Sequence, residues 1–165
     1  MTAPDELDAV FTRLFPKLVG MVSLYCGDRW VAEEIAQETL SRLWAQSASA
    51  RIDSPEAWTY RVATNLANSW FRRRSIERRA RDSLRAVRRD DLAPDPAESL
   101  AVRDALARLP RRQRQAILLR YYADLSVEGA AAVMRCAPGT VKAHTHKAMA
   151  ELARAGLADE ERVDG

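Results

Sequence analysis

The chain has 165 residues, a formal net charge of +3 and two cysteines, Cys26 and Cys136, far apart in sequence. That length suits one medium domain or two small ones. The cysteine count argues against a disulfide scaffold and points to a reducing, cytoplasmic setting, and no apolar run reaches the roughly 18 residues expected of a membrane span. The start, MTAPDELDAVF, is acidic and lacks a signal-peptide pattern. Glycine is scarce, β-branched runs are absent, and alanine, leucine and arginine abound, so an all-α fold is expected.

Leu7, Val10, Phe11, Leu14 and Phe15 make a first amphipathic stripe. Pro16 should interrupt it or open a fresh helix, on which Leu18, Val19, Val22 and Tyr25 continue before Gly27 stops it. A second helix is expected from about Trp30 to Gln46, with Ala32, Ile35, Ala36, Leu40, Leu43 and Trp44 buried. Glu33, Glu34, Gln37, Glu38 and Ser41 then fall on the remaining surface, as on any surface helix. Ser47 to Asp53 reads as a loop. Ser54-Pro55-Glu56 starts another helix, with Ser as cap, Pro first and Glu in the first turn.

On that helix Trp58, Val62, Leu66 and Trp70 recur at four-residue steps, and Arg61, Asn65, Asn68 and Arg72 line the opposite side. Guanidinium and amide groups there can bond base edges or phosphates. Trp58, Tyr60, Trp70 and Phe71 are either core or stacking surfaces for unpaired bases, core being the better reading of each alone. Between Phe71 and Asp90, Arg72, Arg73, Arg74, Arg78, Arg79, Arg81, Arg85, Arg88 and Arg89 face only Glu77, Asp82 and Asp90. Such a block fits a polyanion partner or a solvated helix end.

Residues 90–98, DDLAPDPAE, read as a flexible linker between an N-terminal helical domain, residues 1–89, and a smaller one, residues 99–158, followed by a tail, 159–165. The second domain opens with Leu100, Val102, Ala105, Leu106 and Leu109, and Pro110 ends that helix. Arg111 to Tyr122 gives the next, with Ile117, Leu118, Tyr121 and Tyr122 as core and Arg111, Arg112 and Arg114 in its first turns. Then Ser126 caps a short helix whose Val127, Ala130, Ala131 and Met134 share a face. Arg135-Cys136-Ala137 breaks the pattern, and Pro138 opens a last helix. Val141, Thr145, Ala148 and Leu152 form its inward stripe, while Lys142, Ala143, His146 and Lys147 point away. This is the geometry of a helix-turn-helix recognition element, although a solvated helical hairpin fits the spacing equally well.

Three stretches in order, AEEIAQETLSRLW (32–44), AWTYRVATNLANSWFRRR (57–74) and LPRRQRQAILLRYYADLSVEGAAAVMRCAPGTVKAHTHKA (109–148), resemble the extracytoplasmic-function sigma factors of bacterial RNA polymerase. The alanine- and arginine-rich composition hints at an actinobacterial source. The resemblance implies a sigma factor that directs polymerase to promoters and helps melt them. It implies RNA polymerase core as partner, through its β′ coiled coil and β flap, together with promoter DNA and an anti-sigma factor. Glu34, Gln37, Glu38 and Ser41 would contact polymerase. Arg61, Asn65, Asn68, Ser69, Arg72, Arg73 and Arg74 would hold the melted −10 element, with Asn65 reading a flipped base. Arg111, Arg112, Arg114, Thr140, Lys142, Ala143, His146 and Lys147 would read the −35 duplex.

The chain departs from the family pattern at Ser69, where an acid is common, at Arg135, where a turn glycine is usual, and at Ala137, where a cap serine is usual. His144 and His146 also stand where arginine or serine is more usual. A stand-alone helix-turn-helix regulator would explain residues 109–152 but not the first half. A metal site at Cys136, His144 and His146 is disfavoured, because two histidines two apart on a helix splay by about 200° and zinc needs about four converging ligands. No phosphate loop or nucleophile elbow is present, so no cofactor, metal or intrinsic catalysis is expected.

Overall fold

The computed structural model describes residues 4–81 and 97–158. Among them are seven α-helices and no strand: α1 (Pro4–Cys26), α2 (Arg29–Ser49), α3 (Pro55–Arg81), α4 (Ala97–Arg108), α5 (Arg111–Ile117), α6 (Val127–Met134) and α7 (Pro138–Arg154). The expected linker falls outside the described residues as far as Pro96, and Ala97 and Glu98 already belong to α4. Arg85, Arg88, Arg89 and the tail, 159–165, also lie outside them.

α1 is one helix through Pro16, not two. Proline leaves the Thr12 carbonyl without its helical donor, but Pro16 is on the exposed face, where water can serve that carbonyl. On the other face Leu14, Leu18 and Val22 are fully enclosed, each worth about 1.5–3 kcal/mol, which outweighs the interruption. By length and mean hydropathy, 1.3, the segment Glu6–Cys26 is apolar enough to cross a bilayer, although Asp8, Arg13 and Lys17 interrupt it, so it holds no unbroken apolar run of 18 residues. In this fold its apolar stripe packs into α2 and α3 instead. Gly27, at φ +74, ends the helix with its N–H on the Ser23 carbonyl.

Asp28 caps α2 by accepting from the Val31 N–H at 3.2 Å, and α2 runs to Ser49, through part of the expected loop. Ser54 caps α3, its Oγ accepting from the Ala57 N–H at 3.3 Å. The α3 seam differs from the expected one. Thr59, Tyr60, Ala63, Thr64 and Ala67 are buried, whereas Trp58, Val62, Leu66 and Trp70 are only half-buried. Apart from Tyr60 the seam residues are small, which lets α1 and α2 approach closely and leaves the tryptophans at the flanks.

In the second half α5 continues into a π-helical turn, Leu118–Tyr122, closed by the Ala123 N–H on the Leu118 carbonyl. The wider turn upsets the 3.6-residue phase. Ile117 and Leu118 are buried as expected, but Tyr121 and Tyr122 are exposed by 50% and 42%. One continuous apolar core joins both halves, because α1 packs against α4, α5 and the π turn as well as against α2 and α3.

Candidate docking and nucleic-acid interfaces

On α2, Glu34, Gln37, Glu38 and Ser41 are all exposed, and at about 100° per residue they share an arc of about 100°. The Arg42 Nε donates to Glu38 at 2.7 Å and the Arg29 Nε to Glu33 at 3.1 Å. Such exposed pairs contribute under about 0.5 kcal/mol each, so these carboxylates stay available to an outside cation. Trp44, expected in the core, is 52% exposed and leans on Phe11 at 5.9 Å between ring centroids. Trp30 is 76% exposed.

On α3, Arg61, Arg72, Arg73 and Arg74 are exposed, and Asn65, Asn68 and Ser69 are half-buried. Arg61, Asn65, Asn68 and Arg72 do share a stripe, as the helical period requires. Arg72 donates to the Ser69 Oγ at 2.9 Å, and Arg74 lies 5.0 Å over the Trp70 ring. Tyr60, at 1% exposure, is no stacking surface. Trp70 and Phe71 meet edge to face at 4.9 Å and stay half-buried.

The helix-turn-helix forms as expected. The Ser126 Oγ accepts from the Gly129 N–H at 2.9 Å, and α6 ends in Arg135, a left-handed residue at φ 53, ψ 50. Ala137 stands at the cap of α7 without a side-chain bond. Val141 and Ala148 face the core, and Thr140, Lys142, Ala143, His146 and Lys147 are exposed on the recognition helix. His144 is half-buried beside them. Burial, then Arg112 and Lys147, hold its pKa below the usual histidine value. Among the described residues no group of three or more His, Cys, Asp or Glu is placed to hold a metal.

The arginines of α5 do more inside the chain than their spacing suggests. Arg112 donates to the Met134 carbonyl at 3.0 Å and to Gln115 at 3.1 Å, tying α5 to the end of α6. Arg114 donates to the Tyr25 carbonyl at 2.9 Å, and Arg111 lies 5.0 Å over the Phe71 ring. Tyr25 in turn donates to the Asn68 Oδ1 at 2.7 Å. Tyr25 read as core from its position on α1, and nothing local in the sequence signals that it bridges Asn68 and Arg114. Nor does it signal that the Tyr122 hydroxyl reaches Gly20, where a Cβ would stand 1.9 Å from it.

These features define an all-helical chain whose second half carries a helix-turn-helix. Residues 10–77 match the sigma-70 region 2 family and residues 99–152 the sigma-70 region 4 family. The chain is 31% identical to the RNA polymerase sigma-E factor of Streptomyces antibioticus over 124 residues, 73% of this chain and 68% of that protein. It is also 31% identical to the ECF RNA polymerase sigma factor EcfG of Rhodopseudomonas palustris, over 92% of this chain and 86% of that one. Among solved structures it resembles the sigma factor RpoE of Bartonella quintana in complex with the anti-sigma factor NepR. That match has TM-score 0.76 and 26% identity, over 94% of this chain and 99% of that chain. The chain belongs to the ECF sigma factors: it is a transcription initiation factor that directs RNA polymerase to promoters.

Proposed function

We propose how the labour is divided along the chain. Residues 1–89 form the unit that docks on polymerase and holds the melted −10 strand, 90–98 the linker, 99–158 the −35 reader, and 159–165 a tail. Glu34, Gln37, Glu38 and Ser41 meet a basic surface of the polymerase core, the β′ coiled coil. Asn65 takes the flipped base, while Arg61, Asn68, Ser69, Arg72, Arg73 and Arg74 hold the strand around it. Thr140, Lys142, Ala143, His146 and Lys147 enter the major groove, and Arg111, Arg112 and Arg114 approach the flanking phosphates.

The observation that carries this reading is the separation of faces by chemistry. The α2 arc of Glu34, Gln37, Glu38 and Ser41 carries only negative charge, whereas the exposed Arg61, Arg72, Arg73 and Arg74 of α3 and Lys142 and Lys147 of α7 are positive. A polyanion is repelled by the first and attracted by the others, so one chain can hold protein and DNA at once. The captured base offsets an unpairing cost of a few kcal/mol, and phosphate neutralisation makes binding fall with salt.

An apolar groove of about 490 Å³ between α1, α4, the π turn and α7, lined by Leu106, Ile117, Tyr121, Met149 and Leu152 among others, suits an apolar segment of the polymerase β flap. A sigma factor of similar fold is held by an anti-sigma factor, and we assign this chain such a regulator too. It works in the cytoplasm and has no catalysis of its own. Run-off transcription with core polymerase on a genomic promoter library tests the proposal: the chain should redirect start sites, and unchanged start sites refute it.

A further inference from the structure

Helix α3 outruns the body it belongs to. Phe71 is its last half-buried residue, and every residue from Arg72 to Arg81 is exposed, a projection of about 15 Å at 1.5 Å per residue. That end carries Arg72, Arg73, Arg74, Arg78, Arg79 and Arg81 against one acid, Glu77. Arg72 donates to the Ser69 Oγ and Arg74 lies over the Trp70 ring, but among the described residues none of these arginines is ion-paired. Arg74 and Arg78, one turn apart, repel each other. Residues 78–81 also lie beyond the region 2 match, which ends at 77.

The charges fall in two rows. With Arg72 at zero and about 100° per residue, Arg79 stands at about 340°, Ser75 at about 300°, Arg78 at about 240° and Arg74 at about 200°. Ser75 is thus flanked by an arginine row on each side. Glu77, at about 140°, points away from both rows. The stripe of Arg61, Asn65 and Asn68 leads along the helix into the Arg72 and Arg79 row.

We propose that the projecting end of α3 seats in the major groove of the duplex that adjoins the melted element. The inference rests on the proposed assignment of α3 to DNA and extends it from the unpaired strand to paired DNA. A major groove about 12 Å wide admits a helix about 10–12 Å across with its side chains, and it presents phosphates on both walls. Arg79 and Arg72 meet one wall, Arg74 and Arg78 the other. Ser75 faces the floor, where a hydroxyl can bond base edges. Arg72 stands where the strand gives way to the duplex. A single strand, or a flat acidic protein surface, would engage one row and leave the other in water. Only a partner with anions on two sides uses both.

The test uses the full chain assembled with core polymerase, on a promoter recovered by run-off transcription that carries guanines beside its melted element. The variants are the double Arg78→Ala/Arg79→Ala, Ser75→Glu and, on the far side, Glu77→Gln, with circular dichroism confirming helix content. Dimethyl sulfate reads guanine N7 in the major groove, permanganate reads the melted strand, and promoter affinity is titrated against salt. Wild type should protect N7 in the adjoining duplex. The double variant should lose that protection, bind at least about tenfold more weakly, close to 1.4 kcal/mol, and lower the slope of log K against log salt by about 1.8 for two lost phosphate contacts. Ser75→Glu puts a negative charge on the groove floor and should weaken binding as much, whereas Glu77→Gln should stay within about twofold. Core affinity should hold in all three. Reactive N7 in the wild type, or a double variant that still protects it, overturns the groove placement. Loss of core affinity with promoter contacts unchanged gives the rows to an acidic protein surface and overturns it too. The assignment of α3 to the unpaired strand is judged apart from these, by permanganate with the Asn65 substitution below.

Discussion

The turn between α6 and α7 offers a direct test of the local physics. Arg135 sits at φ 53, ψ 50, a left-handed conformation that costs an L-residue about 1–2 kcal/mol. Glycine adopts it freely, but its looser unfolded chain takes back about 0.4–1 kcal/mol. Arg135→Gly should therefore stabilise the protein by about 0.5–1 kcal/mol. Two residues on, Ala137 has the extended geometry of a cap, φ −70 and ψ 148, but no side-chain oxygen. Ala137→Ser supplies one for the Gly139 or Thr140 amide and should add about 1 kcal/mol. The sites share one turn, so the double variant need not be the strict sum. At about 2–4 °C per kcal/mol for a chain of this size, Arg135→Gly should raise the melting temperature by about 1–4 °C and Ala137→Ser by about 2–4 °C. Thermal and urea melts followed by circular dichroism measure it. A lower melting temperature for Arg135→Gly would mean that the arginine makes contacts outweighing its backbone strain, and the reasoning would fail.

Asn65→Ala should lower open-complex formation at least about tenfold while leaving core affinity unchanged, as expected when a base contact worth about 1–3 kcal/mol is lost; permanganate footprinting of a promoter checks it, and normal melting removes Asn65 from the site. Glu38→Lys breaks only the exposed pair with Arg42, so the melting temperature should hold while affinity for core drops about tenfold or more, close to 1.4 kcal/mol; equal affinity in a pull-down ends that role. Burial pushes the Tyr25 and Tyr60 hydroxyls and the Cys26 thiol up to about 12 each. All three are neutral when folded and ionise more readily unfolded, at ordinary values of 10.0 for the phenols and 9.0 for the thiol. Their contribution is intact below pH 9 and is lost as pH rises toward 12. Melting at pH 11 should fall at least about 5 °C below that at pH 8, and a flat profile refutes their burial.

Helix content, the caps at Ser54 and Ser126, the stop at Gly27 and the outward face of α7 are local properties. They follow from hydrogen-bonding side chains and a 3.6-residue period, so the sequence by itself determined them, and it also carried the family resemblance. Other features depended on neighbours distant in sequence. Pro16 stays helical because Leu14 and Leu18 are enclosed from outside the helix. The α3 seam runs along Tyr60, Ala63 and Ala67, not the tryptophans, because α1 and α2 need small residues to approach. Tyr121 and Tyr122 turn outward because α5 ends in a π turn. Above all, that Arg114 meets Tyr25, 89 residues away, is a matter of how two units pack, and no local period encodes which surfaces two units will share.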